Sequence, residues 1–523
     1  MTSRHKAVRA TLLVALAAGA ASACSGSDGV ASPGEGSFVI SPPPAPPVSP
    51  PTSPPVSPPT SPTAPSDCPT GFTNVGLVSL NNASLGSAGS YRNCQLPSAI
   101  TGSLLIPQVD GTVYSLSGRV DVGEDLGADP AAPIAGRTAG ILSIEPGVTV
   151  FGTGTADFLV VNRGSQINAV GNASAPIVFT SRQSVEGSTN VDSIGQWGGV
   201  VLLGRAPTAD GCPTGVTAPD ISCEAIVEGT SALYGGNTIS DSSGRLSFVR
   251  VQHSGFEVLP GNELNGITLA GLGNGTVIDH VQVHNSSDDG IEIFGGTVNL
   301  SNIVLTGNDD DSYDLDSGWR GGTQYLLAVQ RPNGGDRVFE TSSRGAKGTP
   351  TGTPPVFPFN SQPRIANATL VGRSSSSAVI IANSGNGIRV VNSVMTKAGG
   401  TGACLDIDDA DTTTAAPTFN SVFMSCPVAF QADGNQEAET ASLFNAGSNN
   451  VSAGTSTLTS IVAGASAFVN GGNENGMTVT TPINTSTYST TFTNTTYVGA
   501  VQSDADTWYR GWTCSALIGE EDC

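Results

Sequence analysis

A chain of 523 residues with 66 Gly, 34 Pro and only 12% charged residues carries too little charge for long solvated helices and suits many short strands and turns. Its formal net charge of −22 repels nucleic acid and anionic lipid headgroups and attracts cations, so no nucleic-acid partner is expected.

Residues 1–23 place Arg4, Lys6 and Arg9 ahead of an apolar run over 10–20. That run is too short to span a bilayer, and it predicts an export signal. Its removal would take the charge to −25, because residues 1–23 contain no acid. The run ends in Ala21-Ser22-Ala23-Cys24, which resembles the lipobox of bacterial lipoproteins, with Ala21 where that pattern prefers Leu. The resemblance implies a lipid on Cys24 as the sole membrane anchor. Ser25 implies sorting to the outer membrane, where the cell surface is the further destination. Read without the lipobox, the chain is a plain secreted protein with one spare thiol.

Residues 24–66 read as a disordered tether. The segment 42–65 repeats PPVSPPTSP without apolar periodicity, favours polyproline II, and reaches on the order of 75 Å. Beyond Cys24, eight cysteines fall into the local pairs Cys68/Cys94, Cys212/Cys223, Cys404/Cys426 and Cys514/Cys523. In an oxidising compartment an even, locally spaced set reads as disulfides, and the absence of Cys-x-x-Cys spacing disfavours zinc.

Residues 67–135 carry short apolar groups and are expected to form an N-terminal cap over the open edge of a stack. From about 140 onward, strand-length runs such as GILSIEPGVTVFG, INAVGNASAPIVFTS and QWGGVVLLG alternate with Gly, Pro and Asn turns. Two excursions interrupt the rhythm, at 205–235 and 332–362, and Cys212/Cys223 is expected to close the first as a protruding loop. The clearest repeat lies in 276–318, where TVIDHVQVHNSSDDGIEIFGG is followed by TVNLSNIVLTGNDDDSYDLDSG. A period of 21–22 residues with acidic turns at one phase marks stacked β coils. The expected fold is all-β: a single-stranded right-handed parallel β-helix (a solenoid) over 136–430. Residues 431–523 would form C-terminal coils and a cap, with Trp508, Tyr509 and Trp512 closing the last coil.

These features resemble the β-helix architecture of pectate lyases, polygalacturonases and many surface proteins. The segments at 288–321, 335–337 (GDR) and 497–513 (YVGAVQSDADTWYRGWT) also look like a bacterial family of exported β-helix surface proteins. The resemblance covers roughly 136–523.

If alternate residues face inward, Thr268, Glu292 and Asp314 stack outward in one column and Phe294 and Asp316 in the next. Glu340, Asp406 and Asp408 share that phase. Coils about 4.8 Å apart would bring Asp288, Asp289, Asp310, Asp311, Asp314 and Asp316 together. Two such carboxylates repel by about 3–4 kcal/mol at an effective dielectric near 20. A counter-charge from Arg320 or Arg337, raised pKa values, splayed side chains or a bound cation must offset this. Oxygen-only ligands favour Ca²⁺, while water-facing turn caps are the simpler reading of the same Asp residues. No twelve-residue Ca²⁺ loop is present.

Two functions follow. In the first, a non-catalytic module presents an acidic, partly aromatic groove (Phe294, Tyr313, Trp319, Arg320) to a glycan or to an outer-membrane or cell-surface protein. In the second, a polysaccharide lyase or glycoside hydrolase uses Asp289, Asp311, Asp314 or Glu292, with His284 as a further acid/base candidate. His280 and His284 are expected to face outward beside Glu292, and His253 is a lone histidine. The Asp-Asp-Gly at 288–290 is similar to the acidic pair of polygalacturonases. The Gly-His-Gly and Arg-Ile-Lys motifs of that family are absent, and Arg320 is the sole candidate for a lyase base. The balance lies with the binding module.

Overall fold

In a computed structural model of the protein, the described residues are 62–259, 262–482, 484 and 492–523. The predicted export signal, Cys24 and nearly all of the Pro-rich tether lie outside them. Among the described residues the chain winds as a right-handed parallel β-helix built from an eleven-stranded sheet, here called the narrow sheet, and a fifteen-stranded sheet, the wide sheet. Register repeats from coil to coil. In the narrow sheet Ile267, Ile291, Tyr313 and Phe339 stand in line, and so do Leu269, Ile293 and Leu315. Those rows face inward and belong to one continuous apolar core. A period of two sends the residues between them to the outer face. Thr268, Glu292, Asp314 and Glu340 therefore form an outward row, which Ile381 and Asp406 continue.

The wide sheet changes character along the stack. In the early coils each turn gives it two separate strands, such as Gly140–Ile144 and Thr149–Gly152. From Gly244–Gln252 onward the two merge into one bent strand. The bend is a single residue with positive φ, and Phe248, His280, Asn302, Tyr325, Asn367, Asn392 and Ser421 occupy it on successive coils. A left-handed residue other than Gly costs roughly 1–2 kcal/mol, and Asn, which bears that conformation best among non-glycine residues, fills three of the seven places. The bend adds one residue to the alternation. His280 is therefore the corner residue itself, stacked on Phe248 with ring centroids 4.3 Å apart, and it does not share a face with His284.

Parallel coils begin earlier than the 136 boundary expected from sequence. The strands Ala99–Ile100 and Arg119–Val122 already pair in parallel within the narrow sheet. The first edge is closed by Thr73–Leu80, antiparallel to Gly89–Gln95. The last coil strand is Val428–Phe430. The helix Glu437–Ala446 closes the far end, with Phe444 fully buried against Phe419 and Phe430 at 5.6 Å each. Trp508, Tyr509 and Trp512 do not cap that coil. They pack on Val304, Leu327 and Val329, outward residues of the wide sheet that would otherwise leave an apolar stripe in water.

The chain after the cap helix is thus a strap that runs back along the stack. Carboxamide side chains of the stack hold its backbone, three of them at both the N–H and the carbonyl of one residue. Asn392 donates to the Thr480 carbonyl and accepts from its N–H, both at 2.8 Å. Gln324 does the same for Thr493 at 2.8 and 2.9 Å, and Gln282 for Cys514 at 2.5 and 2.9 Å. The strap ends where Asn82 and Ser184 donate to the Cys523 carbonyl. Four disulfides join Cys68–Cys94, Cys212–Cys223, Cys404–Cys426 and Cys514–Cys523.

The excursions fold down onto the stack. Val227, Ala232, Tyr234 and Leu264 pack on Val160, Val201 and Leu203 of the narrow sheet. Phe359 of the second excursion packs on Ala209, Ala218 and Cys223 of the first. The Cys212–Cys223 loop, itself part of the first excursion, touches the second through Phe359, while Pro213, Thr214, Gly215, Ile221 and Ser222 stay exposed.

Substituting Gln282→Ala leaves the buried Cys514 N–H and carbonyl unpaired, at a cost of about 1–3 kcal/mol for each group. Amide exchange across 508–523 should accelerate while that of the 291–316 coils stays unchanged. Equal acceleration of both would show that the strap is not a separately docked element.

Candidate functional site

The acidic side chains converge because register repeats in the turns as well as in the strands. Asp288-Asp289 precede the strand Ile291–Phe294, and Asp310-Asp311 precede Tyr313–Asp316 one coil later. The second acid of each pair anchors the next turn. The Asp311 N–H donates to Asp289 Oδ1 at 3.0 Å, and the Arg337 N–H donates to Asp311 Oδ1 at 2.6 Å. The Gly of Asp-Asp-Gly has a steric reason here, since a Cβ on Gly290 would lie 2.4 Å from the Ser312 carbonyl oxygen. Capping occupies one oxygen of Asp289 and one of Asp311, and the other oxygen of each remains available.

Three groups of carboxylates have ligand oxygens within 4.8 Å of one another: Asp288, Asp289 and Asp310; Asp289, Glu292 and Asp314; and Asp310, Asp311 and Asp336. Shared members link them into one chain. Oxygens on opposite sides of a Ca²⁺ ion, each at about 2.4 Å, are about 4.8 Å apart, so a single ion can span any of these groups. The middle group is the deepest. Asp289 and Glu292 are each 7% exposed, Glu292 accepts from Asn265 Nδ2 at 2.6 Å, and the buried Asp314 Oδ1 has no hydrogen-bond partner.

Positive charge nearby is scarce. Arg344 is exposed and lies 3.5 Å from Asp316, and Arg337 pairs with Asp336 and stands 3.9 Å from Glu340. Burial, reinforced by mutual repulsion, drives Asp289, Glu292, Asp311 and Asp314 well above the usual carboxylate range. The same causes raise Asp310 and push Asp288 up to about 8. A cluster of this kind holds protons or a cation. All of its ligands are oxygen, which fits Ca²⁺ and does not fit zinc.

Of the six Asp residues expected as metal ligands, Asp288, Asp289, Asp310, Asp311 and Asp314 meet in these groups, and Glu292 joins them. Asp316 does not. Its Oδ1 accepts the N–H groups of Ser317 and Arg344, at 2.5 and 2.9 Å, so it caps a turn. Asp336 was missed because the coil before it is longer, which shifts it out of the 21–22-residue phase. A fourth group, Asp406, Asp408 and Asp433, lies further along the stack, with Asp406 raised to about 6 by burial and its acidic neighbours.

Phe294, Tyr313, Trp319 and Arg320 do not line the groove expected for them. Tyr313 and Trp319 are fully buried: Tyr313 stands in an inward row, and Trp319 Nε1 donates to the Val298 carbonyl oxygen. Phe294 packs beside Tyr234, 6.0 Å between ring centroids. Arg320 donates to the Asn360 carbonyl and lies 4.5 Å over Phe359, bound within the second excursion and not poised as a base. His284 sits on the wide sheet, 5.7 Å from His253, and so is not beside Glu292. Burial holds His284 well below its ordinary pKa and takes His253 down to about 4.

Residues 131–513 match the family described as the pectate-lyase-like β-helix domain, and the chain belongs to that family. No curated protein and no solved structure matches it.

The raised carboxyl groups give stability a defined sign with pH. Their folded pKa values lie above the unfolded ones, so between pH 6.5 and 8 the folded state binds more protons and loses stability as pH rises. In chelator the melting temperature should therefore fall from pH 6.5 to 8, and saturating Ca²⁺ should flatten that slope by taking the place of the protons. A melting temperature independent of both would rule out a buried titrating cluster.

Proposed function

We propose that this pectate-lyase-like β-helix is a Ca²⁺-binding, non-catalytic module that presents the acidic face of its narrow sheet to a glycan or a surface protein. The observation that carries this reading is the Asp289, Glu292 and Asp314 group, with its unpartnered buried Asp314 oxygen and little compensating positive charge. Asp288 and Asp310 would share in holding the ion. When bound, Ca²⁺ neutralises the cluster and offers open coordination positions to ligand oxygens. Asp289 and Asp311 meanwhile keep the turns of neighbouring coils in register.

The sequence supports delivery by an export signal and anchoring at the outer membrane through a lipid on Cys24, with the Pro-rich segment as spacer. A lipid on one cysteine together with a tether reaching on the order of 75 Å suits a module that must reach a partner away from the bilayer.

A second reading, glycoside hydrolysis, is favoured by one observation: Asp288 is pushed up to about 8, which keeps a carboxylic acid protonated near neutral pH, as a general acid requires. The depth of Asp289 and Glu292, each 7% exposed, argues against a sugar ring reaching a carboxylate pair there. A lyase reading is weakened by Arg320, whose guanidinium is engaged with Asn360 and Phe359.

The test is retention and cleavage on a polysaccharide panel with Ca²⁺ or chelator. The expected result is Ca²⁺-dependent retention without new chain ends, lost when Asp289→Asn and Asp314→Asn are combined. New chain ends that disappear in the same double variant would establish the hydrolase and overturn the module.

A further inference from the structure

We propose that the last coil carries a Ca²⁺ site of its own, formed by Asp406, Asp408 and Asp433, which fastens the turn into the C-terminal cap helix to the coil beneath it. One carboxylate oxygen of each residue lies within 4.8 Å of the other two, a spacing that a single ion spans at Ca–O distances of about 2.4 Å. Asp406 stands on the outer face of the strand Ala403–Ile407, and Asp408 follows directly after that strand. Asp433 lies in the turn between the end strand Val428–Phe430 and the helix Glu437–Ala446. An ion held by all three joins two successive coils at the point where the stack is closed.

Acidic groups are common on protein surfaces, and Asp406 sets this one apart. It is 7% exposed, and among the described residues its carboxylate has neither a hydrogen bond nor a salt bridge. Its oxygens nonetheless keep accessible surface, so an ion arriving between Asp408 and Asp433 can reach them. A buried polar group left without a protein partner points to a bound water or ion. The neighbouring acids are used differently. Asp409 caps the helix Ala410–Ala415, accepting the Thr412 N–H at 2.7 Å, and it also accepts the Ser384 N–H. Asp411 pairs with Lys347 at 3.0 Å. Asn435 sits between the remaining two: its Nδ2 donates to Asp408 Oδ1 at 3.2 Å, and its N–H donates to Asp433 Oδ1 at 2.8 Å. Each of these carboxylates keeps its second oxygen for a ligand.

Protein cations do not fill the place of the ion. No Lys, Arg or His occurs between Lys397 and Arg510. Lys347 is engaged with Asp411, and Arg337, whose charge reaches Asp406, pairs with Asp336. All the donors are oxygen, and with Asp408 half-buried and Asp433 exposed there is room for water to complete the shell. This suits Ca²⁺, which takes six to eight oxygens in a flexible arrangement, better than Mg²⁺, which demands a tight octahedron. Three carboxylates, two of them open to water, place the affinity with extracellular Ca²⁺ modules, at about 10⁻⁴–10⁻³ M.

The test is amide exchange of the full chain over 428–446, titrated with CaCl₂ to about 10 mM and with MgCl₂ at equal ionic strength. Ca²⁺ is expected to slow exchange there saturably, by about tenfold or more at the top of the titration, and Mg²⁺ to slow it less. Asp433→Asn should remove the effect. This variant folds, because Asp433 is exposed and Asn keeps the oxygen that accepts the Asn435 N–H. Asp289→Asn combined with Asp314→Asn should leave the effect in place, so the outcome is separate from that of the acidic row. Exchange that Ca²⁺ does not slow, or that Mg²⁺ slows equally, overturns the proposal. So does an effect that survives Asp433→Asn or is lost in the double variant.

Discussion

Register is the constraint on which this molecule depends. Parallel coils about 4.8 Å apart place each residue directly over its counterpart, so whatever a position carries is multiplied along the stack. On the inward rows this serves stability, since Ile267, Ile291, Tyr313 and Phe339 pack as a continuous column. On the outward row and the turn before it, the same rule brings Asp288, Asp289, Glu292, Asp310, Asp311 and Asp314 within reach of one another. Scattered on a surface these acids would be unremarkable in energy; stacked and half-covered, they demand protons or a cation. Fold and site are thus two results of one repeat.

The stack has two further needs, and both are met by distant parts of the chain. Its ends must be closed, which the hairpin of Thr73–Leu80 with Gly89–Gln95 and the helix Glu437–Ala446 accomplish. Its outer faces must be covered where they are apolar. The first excursion, with Leu264, covers the early narrow sheet, and the strap covers Val304, Leu327 and Val329 of the wide sheet. Because Gln282, Gln324 and Asn392 each grip both the N–H and the carbonyl of a strap residue, the strap can be poor in regular structure and still dock in one register.

What the sequence made legible was whatever repeats locally. The 21–22-residue period located the coils, the alternation Ile291-Glu292-Ile293 oriented the acidic row, and short Cys spacings anticipated the four disulfides. What stayed hidden depends on long-range contact. The positive-φ corner at His280 takes that residue out of the outward face that Gln282 and His284 share opposite Val281 and Val283, and no local pattern places the strap over that face. Tyr313, expected in a groove, alternates with Asp314, so register turns it inward. Trp508, Tyr509 and Trp512 announced closure, but no local pattern indicates that they lie on coils some 200 residues earlier. Arg344 and Asn265, which frame the acidic cluster, carry no motif at all.

The central claim is that the acidic row is a cation site and not a set of protonated turn caps. Crystals grown with Ca²⁺ and examined for anomalous scattering test it most directly. The account predicts a peak with oxygens of Asp289, Glu292 and Asp314 at about 2.4 Å. Density showing those carboxyl groups hydrogen-bonded to one another, with no ion between them, would contradict it.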